Sequence, residues 1–245
     1  MKNLWTQKEE KIYSKSDLSL RVYSSRLLGR NPELVLHGGG NTSVKGQYKN
    51  IFGETIETLF IKGSGWDLIS IEEDGFAPVD LNYLIRLAQL NKLTDSQMVV
   101  EQKLATLKPY APNPSVEAIL HALIPYKYVD HSHANAVLTL SNSPDGLALM
   151  ESVYGDRVLF LPYIKPGFDL ALQFREVIAA GGLDGVDAVI LEHHGVFTFS
   201  DDAKESYDKM IEAVGKAEQY LLTTFGPAKV QAANTLISDA KPVST

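Results

Sequence analysis

The chain has 245 residues, of which 44% are hydrophobic, and a formal net charge of -7. This composition is sufficient for one large domain with a substantial core. Because acidic residues outnumber basic ones and no lysine- or arginine-rich run occurs, the charge argues against a nucleic-acid-binding surface. The chain has no cysteine, so disulfides are excluded and any metal site must use histidine and carboxylate ligands.

The sequence shows no sign of a membrane partner. Its N-terminal segment, MKNLWTQKEEKIYSKSD, has no apolar signal core, and no stretch of 18 apolar residues occurs. These features predict a soluble, cytoplasmic protein.

A polar N-terminal arm precedes the first predicted helix. Residues 1–15 carry Trp5 and are expected to be a loose lead-in or an arm that packs Trp5, most simply on the chain's own core. The next residues have helical spacing of apolar side chains, with Ser16 suited to the N-cap and Gly29 to the stop. A helix is therefore predicted between them.

Two glycine-rich loops follow, each after a short predicted strand. The first strand, at 34–36, leads into three glycines and then Asn41 and Ser43; the second, at 59–61, ends in Lys62-Gly63-Ser64-Gly65. Glycine lets backbone N–H groups approach a ligand, and short polar side chains add donors, so the loops suit an anion such as phosphate. Neither has the spacing of a Walker loop or a dinucleotide fingerprint. The alternative is two ordinary glycine turns with a solvated lysine.

The region between the second loop and residue 114 is predicted to hold one helix. A turn is expected at 72–78, and a helix at 80–90 because its apolar residues share one face. The proline-bearing stretch 91–114 is predicted to be irregular.

A third helix is predicted to begin at Ser115, which lies where an N-cap would. Glu117 then falls in the first turn, where a carboxylate favours the helix dipole. The functional alternative is that Glu117 points toward a metal and acts as a base. His121, one turn later, is expected to be satisfied by a local hydrogen bond.

A strand predicted at 128–140 carries His131 and His133. Residues i and i+2 of a strand point to the same face, so the two rings would project side by side. Imidazole pairs of this kind suit zinc, copper, iron and nickel. The alternative is two hydrogen-bonded core histidines.

The remaining elements supply a second histidine cluster. A strand at 187–192 leads directly into His193-His194-Gly195. Three histidines could then meet at one point, and catalytic zinc typically takes three protein ligands and keeps a fourth position open. Other predicted elements are helices at 144–154, 169–179 and 201–223, a strand at 158–161 and a weakly patterned tail at 226–245. No repeat or linker divides the chain, so residues 1–245 are predicted to form one domain.

The order of these motifs carries a family resemblance. A Gly-Asn-x-Ser loop, a Pro-Ser-x-Glu turn, His-x-His and a later His-Gly occur in that order, and with them the chain resembles the class II aldolase/adducin family. The tracts GRNPELVLHGGGNTSVKG, KGSGWDL and APNPSVEA look most like the aldolase half of bifunctional rhamnulose-1-phosphate aldolase/dehydrogenase proteins. The chain is expected to stop before any dehydrogenase half.

The resemblance implies roles for the chemistry-bearing residues. His131, His133 and His194 would be zinc ligands, with His194 preferred over His193 because the family ligand directly precedes the glycine. Glu117 would be the catalytic acid/base.

The resemblance also implies a phosphate site, formed by Asn41, Ser43, Ser64, Gly65 and Ser115. Many family members have a second serine where this chain has Val116, so one hydroxyl is missing. We expect Lys62 to compensate, which is an inference from this chain rather than from the family. Family aldolases also use a tyrosine from a neighbouring subunit as a proton donor, and Tyr154 and Tyr163 are both candidates.

The implied reaction is a zinc-dependent cleavage of a ketose 1-phosphate, of the rhamnulose- or fuculose-1-phosphate type, to dihydroxyacetone phosphate and an aldehyde. A divalent metal, zinc or another, would stabilise the enediolate. The implied partners are a small phosphorylated sugar and further copies of the chain in a homotetramer. The alternatives are a 4-epimerase, dehydratase or decarboxylase using the same site, a domain that works beside a separately encoded dehydrogenase, or a non-catalytic adducin-like interaction module.

The implied fold is α/β, with three α/β/α layers around a largely antiparallel central sheet. The alternation of strands and helices by itself would predict a parallel sheet instead.

Overall fold

The computed structural model describes residues 1–227, so nearly all of the tail predicted at 226–245 lies outside the described residues. The strands are β1 (Asn41–Lys49), β2 (Thr55–Lys62), β3 (Phe76–Asp80), β4 (Tyr128–Ser132), β5 (Val158–Leu161), β6 (Ala188–Leu191) and β7 (Gly195–Ser200). The helices are α1 (Gln7–Tyr13), α2 (Asp17–Gly29), α3 (Leu81–Leu87), α4 (Asp95–Leu104), α5 (Ala118–Leu123), α6 (Asn135–Ser141), α7 (Gly146–Tyr154), α8 (Phe168–Ala179) and α9 (Ala203–Phe225).

The seven strands form one sheet in the order β3-β2-β1-β4-β7-β6-β5. Every neighbouring pair is antiparallel except β5 and β6, which are parallel. The largely antiparallel sheet implied by the resemblance is confirmed. The parallel sheet predicted from strand–helix alternation is wrong because two tight hairpins, β1–β2 and β6–β7, and the insertion of β4 between them reverse the strand directions.

Helices cover both faces of the sheet, which confirms the three-layer arrangement. Side chains alternate between the faces along each strand. Phe197 of β7 packs in the cluster that contains α3, α5 and α8, whereas its neighbour Val196 packs in the cluster that contains α2, α6 and α9. The buried stripe of α9 includes Tyr207, Met210 and Val214. Within residues 1–227, no helix combines the length and apolarity needed to cross a bilayer.

The N-terminal arm packs on the chain's own core. Ser16 caps α2 by accepting a hydrogen bond from the backbone of Ser19, as expected. The ring of Trp5 lies 4.8 Å from that of Tyr23 in an edge-on contact and 5.9 Å from that of Tyr207. The arm therefore joins α2 to α9.

Several predicted boundaries differ from the structure. No strand occurs at 34–36, where the chain turns, and β1 begins instead at Asn41. The stretch 91–114, predicted to be irregular, contains α4, whose N-terminus is fixed by a capping box between Thr94 and Gln97. The expected turn at 72–78 is in part β3, and the helix predicted at 80–90 ends at Leu87.

The strand predicted at 128–140 is the largest difference, because only its first part is a strand. After Ser132 the chain turns and forms α6, in which Val137 and Leu140 are buried at helical spacing. A short apolar run fits either periodicity, and burial against α9 decides in favour of the helix.

Helix α5 lies against one face of β1. Asn41, Ser43 and Lys45 alternate along the strand and all bond to α5 or its flanks. At the far end, Lys45 Nζ donates to the carbonyl oxygens of His121 at 3.1 Å, Tyr126 at 2.7 Å and Ile124. One ammonium group therefore satisfies the end of the helix and the turn after it.

We expect Lys45→Met to destabilise the fold by about 2–4 kcal/mol, because it leaves buried carbonyl groups without a donor. For a chain of this size the melting temperature would fall by roughly 5–15 °C. Thermal unfolding followed by circular dichroism measures this, with Lys49→Met, an exposed lysine on the same strand, as the matched control. Equal melting temperatures for both variants would show that the three hydrogen bonds add nothing.

Candidate metal centre

Three histidines converge where β4 ends and the neighbouring strand β7 begins. His131 is in β4, His133 follows the strand directly, and His194 ends the turn between β6 and β7. β4 and β7 are paired neighbours, with His131 opposite Phe197. The sheet order therefore brings residues about 60 positions apart in the chain to one point.

The three rings are close enough to share one ion. One nitrogen from each of the three histidines lies within 4.8 Å of the others, and the Nε2 atoms of His131 and His133 are 3.0 Å apart. Two nitrogen ligands of tetrahedral zinc are about 3.3 Å apart at ordinary zinc–nitrogen distances. The His131–His133 pair is thus slightly closer than this spacing, and the other separations extend up to 4.8 Å, so the cluster approximates a zinc ligand sphere.

The protonation of His131 favours metal binding. Its Nδ1 lies 3.1 Å from the carbonyl oxygen of Val196, so Nδ1–H donates there and the Nε2 lone pair faces the cluster. Burial lowers the pKa of His131 well below its ordinary value. The pKa of His133 is also lowered, mainly by burial and secondly by the neighbouring His194. Neutral imidazole is the form that binds a metal.

Backbone geometry separates the two adjacent histidines. His193 has a positive φ of 55°, and its exposed ring lies against Asn142, 3.0 Å from Nδ1 to Oδ1. His194 instead enters the cluster. The next residue must be glycine because a Cβ on Gly195 would lie 2.4 Å from the Ser132 carbonyl oxygen and 3.0 Å from the ring of His131.

Glu117 places a buried carboxylate beside the histidines. Its Oε1 lies 3.1 Å from His194 Nε2 and its Oε2 lies 3.5 Å from His131 Nε2. Burial favours a raised pKa for Glu117, but electrostatic interactions with His131 and His194 and the hydrogen bond from Asn41 outweigh it and lower the pKa below its ordinary value. The group is therefore a carboxylate near neutral pH.

The local structure around Glu117 differs from the prediction. Helix α5 begins at Ala118, with Glu117 rather than Ser115 at its N-cap and no side-chain cap. Ser115 Oγ instead accepts from the backbone N–H of Glu117 at 3.4 Å. The Glu117 carboxylate therefore makes no capping bond to α5 and lies beside His131 and His194 instead.

Two buried atoms at this point lack a well-formed hydrogen bond. Nδ1 of His194 has no partner, and Oε1 of Glu117 has only Nε2 of His194 at 3.1 Å, without hydrogen-bond geometry. Buried polar atoms are nearly always paired, so an unsatisfied carboxylate oxygen beside three clustered imidazoles suits a bound cation. The donor set fits a divalent transition metal.

Asn41 and Ser43, which the resemblance assigns to phosphate, are engaged inside the protein. Asn41 Nδ2 donates to Glu117 Oε2 at 2.5 Å, and its Oδ1 lies 2.5 Å from Nε2 of His121. Ser43 is fully buried, with Oγ 2.8 Å from Nδ1 of the same ring. A phosphate role for either residue stays a prediction that this geometry does not favour.

His121 is a part of the site that the sequence interpretation missed. Its partners are Asn41 and Ser43, about 80 residues away, so the expected local bond is wrong. The sequence does contain a signal for this role, because His121 follows Glu117 by four residues and therefore lies on the same side of α5.

The other residues implied for phosphate lie together at the end of β2. The backbone of Ser115 donates to the carbonyl oxygen of Lys62 at 3.1 Å, and that of Ser64 to Asn113 at 2.7 Å. Ser64 and Gly65 are exposed. These contacts bring the second glycine loop alongside the turn that carries Glu117.

Lys62 is buried at this junction, and its Nζ donates to the carbonyl oxygen of Gly38 at 3.1 Å. Burial lowers the pKa of Lys62, while the negative charges of Asp67 and Glu117 oppose that shift. A buried ammonium with more donors than this one bond uses can also bind an anion. The neighbouring Val116 is half-exposed and offers no hydroxyl.

The two candidate tyrosines differ in accessibility. Tyr154 is buried, and its hydroxyl donates to the carbonyl oxygen of Ala213 at 2.9 Å. Tyr163 is half-exposed, with its ring 5.9 Å from that of His193. Tyr163 is the tyrosine that another molecule could reach.

A buried ion pair anchors the strand that carries the histidines. Asp130, fully buried between β1 and α9, accepts from Arg21 at 2.5 Å and from Ser206 Oγ at 2.5 Å. Because Asp130 and His131 point to opposite faces, this pair fixes β4 from behind the site.

Comparison with known proteins agrees with this geometry. A family model described as the Class II Aldolase and Adducin N-terminal domain matches residues 20–221. A relative from Bacillus subtilis (strain 168), named uncharacterized oxidoreductase YuxG, is 33% identical over 221 residues. The match covers 90% of this chain and 32% of the relative, so the chain spans about a third of that protein's length.

Solved structures give the same result. The N-terminal class II aldolase domain of a conserved protein from Thermoplasma acidophilum is 39% identical, with a TM-score of 0.82 over 90% of this chain and 99% of that one. L-fuculose-1-phosphate aldolase from Thermus thermophilus (18% identity, TM-score 0.53, 83% and 95% covered) shares the fold. So does YgbL, a putative aldolase/epimerase/decarboxylase from Klebsiella pneumoniae (18%, 0.58, 85% and 90%). The family expected from the order of the motifs is confirmed: the chain belongs to the class II aldolase and adducin N-terminal domain family.

Proposed function

We propose that the chain is a zinc-dependent aldolase that cleaves a ketose 1-phosphate to dihydroxyacetone phosphate and an aldehyde. The observation that carries the proposal is the cluster of His131, His133 and His194 with the Glu117 carboxylate 3.1 Å from the His194 ring. The shared fold with a fuculose-1-phosphate aldolase supports a sugar phosphate of that type. Zinc is favoured because the ligand set is three imidazoles.

The residues divide the chemistry between them. When bound, a divalent metal would supply Lewis acidity toward a carbonyl oxygen of the substrate. Aldol cleavage leaves an electron pair on a carbon of the ketone fragment, and that carbon must take up a proton. As the carbon–carbon bond breaks, the hydroxyl group that becomes the aldehyde loses its proton. The Glu117 carboxylate, once it has taken up a proton, is placed to deliver it to the ketone-fragment carbon, and to remove it in the direction of synthesis. Tyr163 is exposed, and we propose that it reaches the active site of a neighbouring copy and acts there as a proton donor.

Substrate phosphate would bind at the junction of the second glycine loop and the turn before α5. Lys62 supplies positive charge there, Ser64 and Ser115 supply hydroxyl donors, and Gly65 supplies a backbone donor, since the backbone N–H groups of Ser64 and Ser115 already donate within the protein. A phosphate that does not react can still hold the reacting carbons in place through its binding energy. Lys62 thus takes over from the hydroxyl that Val116 lacks.

The assembly and context are part of the same proposal. We propose that residues 1–245 form one domain, that four copies assemble, and that substrate sites lie between them. In a longer protein like the Bacillus subtilis relative, the domain would act beside an oxidoreductase portion.

The test is a panel of ketose 1-phosphates offered to the zinc-loaded protein, with release of dihydroxyacetone phosphate as the readout. Release from a rhamnulose- or fuculose-1-phosphate supports the proposal. Epimerised, dehydrated or decarboxylated products without dihydroxyacetone phosphate would identify another reaction at this site. Bound metal with no turnover of any sugar phosphate would contradict the proposed aldolase reaction.

Lys62→Met should raise KM for the phosphorylated substrate by roughly 10- to 100-fold, because a charge-assisted hydrogen bond contributes about 1.5–3 kcal/mol. kcat should change much less, since this binding is shared by ground state and transition state. Steady-state kinetics measure the split, with the exposed Lys49→Met as control. An unchanged KM would remove Lys62 from the phosphate site.

A further inference from the structure

A continuous hydrogen-bond chain runs through the interior from β1 to the Glu117 carboxylate. Ser43 Oγ lies 2.8 Å from His121 Nδ1, His121 Nε2 lies 2.5 Å from Asn41 Oδ1, and Asn41 Nδ2 lies 2.5 Å from Glu117 Oε2. All four side chains are at least nine-tenths buried. Water therefore does not compete for these bonds.

The register of the sheet creates this chain. Asn41 and Ser43 are two residues apart on β1, so both face α5. Asn41 pairs directly with His131 across β1 and β4. The ring of His121 lies above this row, 5.6 Å from the ring of Phe197 in an edge-on contact.

Only one arrangement of protons satisfies every member. Carboxylate oxygen can only accept, so the Asn41 atom that faces Glu117 must be the amide nitrogen. The Asn41 oxygen then faces His121, which must donate from Nε2. In a neutral ring Nδ1 is then an acceptor, and the Ser43 hydroxyl donates to it.

The environment keeps the His121 ring neutral. Burial lowers its pKa to about 3, and the negative charge of Glu117 opposes this shift without overcoming it. The nearby positive groups Lys45 and Arg21 lower the pKa further. In the neutral ring the Ser43 hydroxyl donates to Nδ1, as in the arrangement above.

We infer that Ser43, His121 and Asn41 act as a positioning chain for Glu117, with His121 as the residue that sets the orientation of the Asn41 amide. The inference rests on the proposed function, because the positioned carboxylate is the proposed proton carrier. Without the His121 donor the Asn41 amide can rotate, and its oxygen would then repel the carboxylate. His121 touches neither the histidine cluster nor, by our proposal, the substrate.

The first experiment tests the positioning chain in the absence of substrate. Nitrogen-15 NMR of the metal-free protein, with His121 assigned by its absence in His121→Gln, should show a neutral ring protonated at Nε2 that does not titrate around neutral pH. In His121→Leu the ring nitrogen shifts of His194, which contacts Glu117, should move as the carboxylate loses its position. Protonation at Nδ1, or unmoved His194 shifts, would overturn the inference even if the protein proves to be an aldolase.

The second experiment measures kinetics at full metal occupancy. His121→Leu should lower kcat by roughly 10- to 100-fold, the range for residues that orient others in a metal site, with little change in KM or zinc content. His121→Gln, whose amide nitrogen can still donate to Asn41, should recover most of the loss. Equal kcat for the Leu variant and the unmodified protein, or failure of Gln to exceed Leu, would overturn the inference.

Ser43→Ala should give a smaller loss of kcat, and it has a matched control in Ser25→Ala. Ser25 is also buried, and its Oγ lies 2.7 Å from Oγ1 of Thr42. Thr42 precedes Ser43 on β1 and faces the opposite side of the sheet. Ser43→Ala removes one buried hydrogen bond, and Ser25→Ala removes two, because Ser25 Oγ also donates to the carbonyl oxygen of Arg21 at 2.6 Å, so the control should lower stability at least as much. Only Ser43→Ala should lower kcat, and an equal fall in kcat for both would show a merely structural role. If no sugar phosphate is turned over, the proposed function fails, and the NMR result alone decides the positioning chain.

Discussion

Replacing Glu117 with glutamine should leave zinc bound and lower turnover by roughly 10²- to 10⁴-fold, the usual contribution of one general acid–base group. The amide matches the carboxylate in shape and can still accept from Asn41, but it cannot carry the proton. The three histidines are unchanged, so metal content should be unchanged.

The measurement is kcat with the best ketose 1-phosphate, beside zinc content by mass spectrometry. Glu192→Gln is the matched control, since Glu192 is a partly exposed carboxylate next to His193 that accepts from the backbone of Tyr163. Activity near that of the unmodified protein would remove Glu117 from the mechanism. Loss of zinc together with activity would instead make Glu117 a metal ligand.

Removing two of the three imidazoles should abolish the metal site. We expect about one zinc per chain in the purified protein and none in the His131→Ala/His133→Ala double variant. Because a metal that binds only the folded state stabilises it, added zinc should raise the unfolding free energy by about 4 kcal/mol at a thousandfold excess over Kd. The double variant should gain nothing.

Metal content and melting temperature with and without added zinc test this. The control is His37→Ala/His193→Ala, which removes two exposed histidines outside the cluster and should keep both the zinc and its stabilising effect. If the unmodified protein takes up no metal even from added zinc, the cluster is not a metal site, and the adducin-like interaction module becomes the better interpretation.

Local pattern was enough to find the elements of the site. His131 and His133 are two residues apart at the end of a strand, whereas His194 was preferred to His193 through the family resemblance, in which the ligand directly precedes the glycine. Such features depend on backbone periodicity and on a glycine with no room for a Cβ, and both are written in a few consecutive residues.

Local pattern failed where two structures suit the same residues. The apolar run after His133 could continue as strand or turn into helix, and its packing on α9 decided for α6. The strand β7, which pairs with both β4 and β6, was not predicted at all. Burial against distant partners, rather than propensity, determines such segments.

The identity and order of the residues were enough to establish the candidate chemistry of this protein: which residues can bind a metal, which carboxylate can move a proton, and the family to which their order belongs. Which polar groups meet could be seen only in the folded chain. Asn41 and Ser43 looked like ligand donors, yet the pairing of β1 with β4 turns both toward His121 and Glu117, 76 to 80 residues away. A side chain's donors are fixed by its identity, whereas its acceptor depends on the strand register and on the helix packed over it.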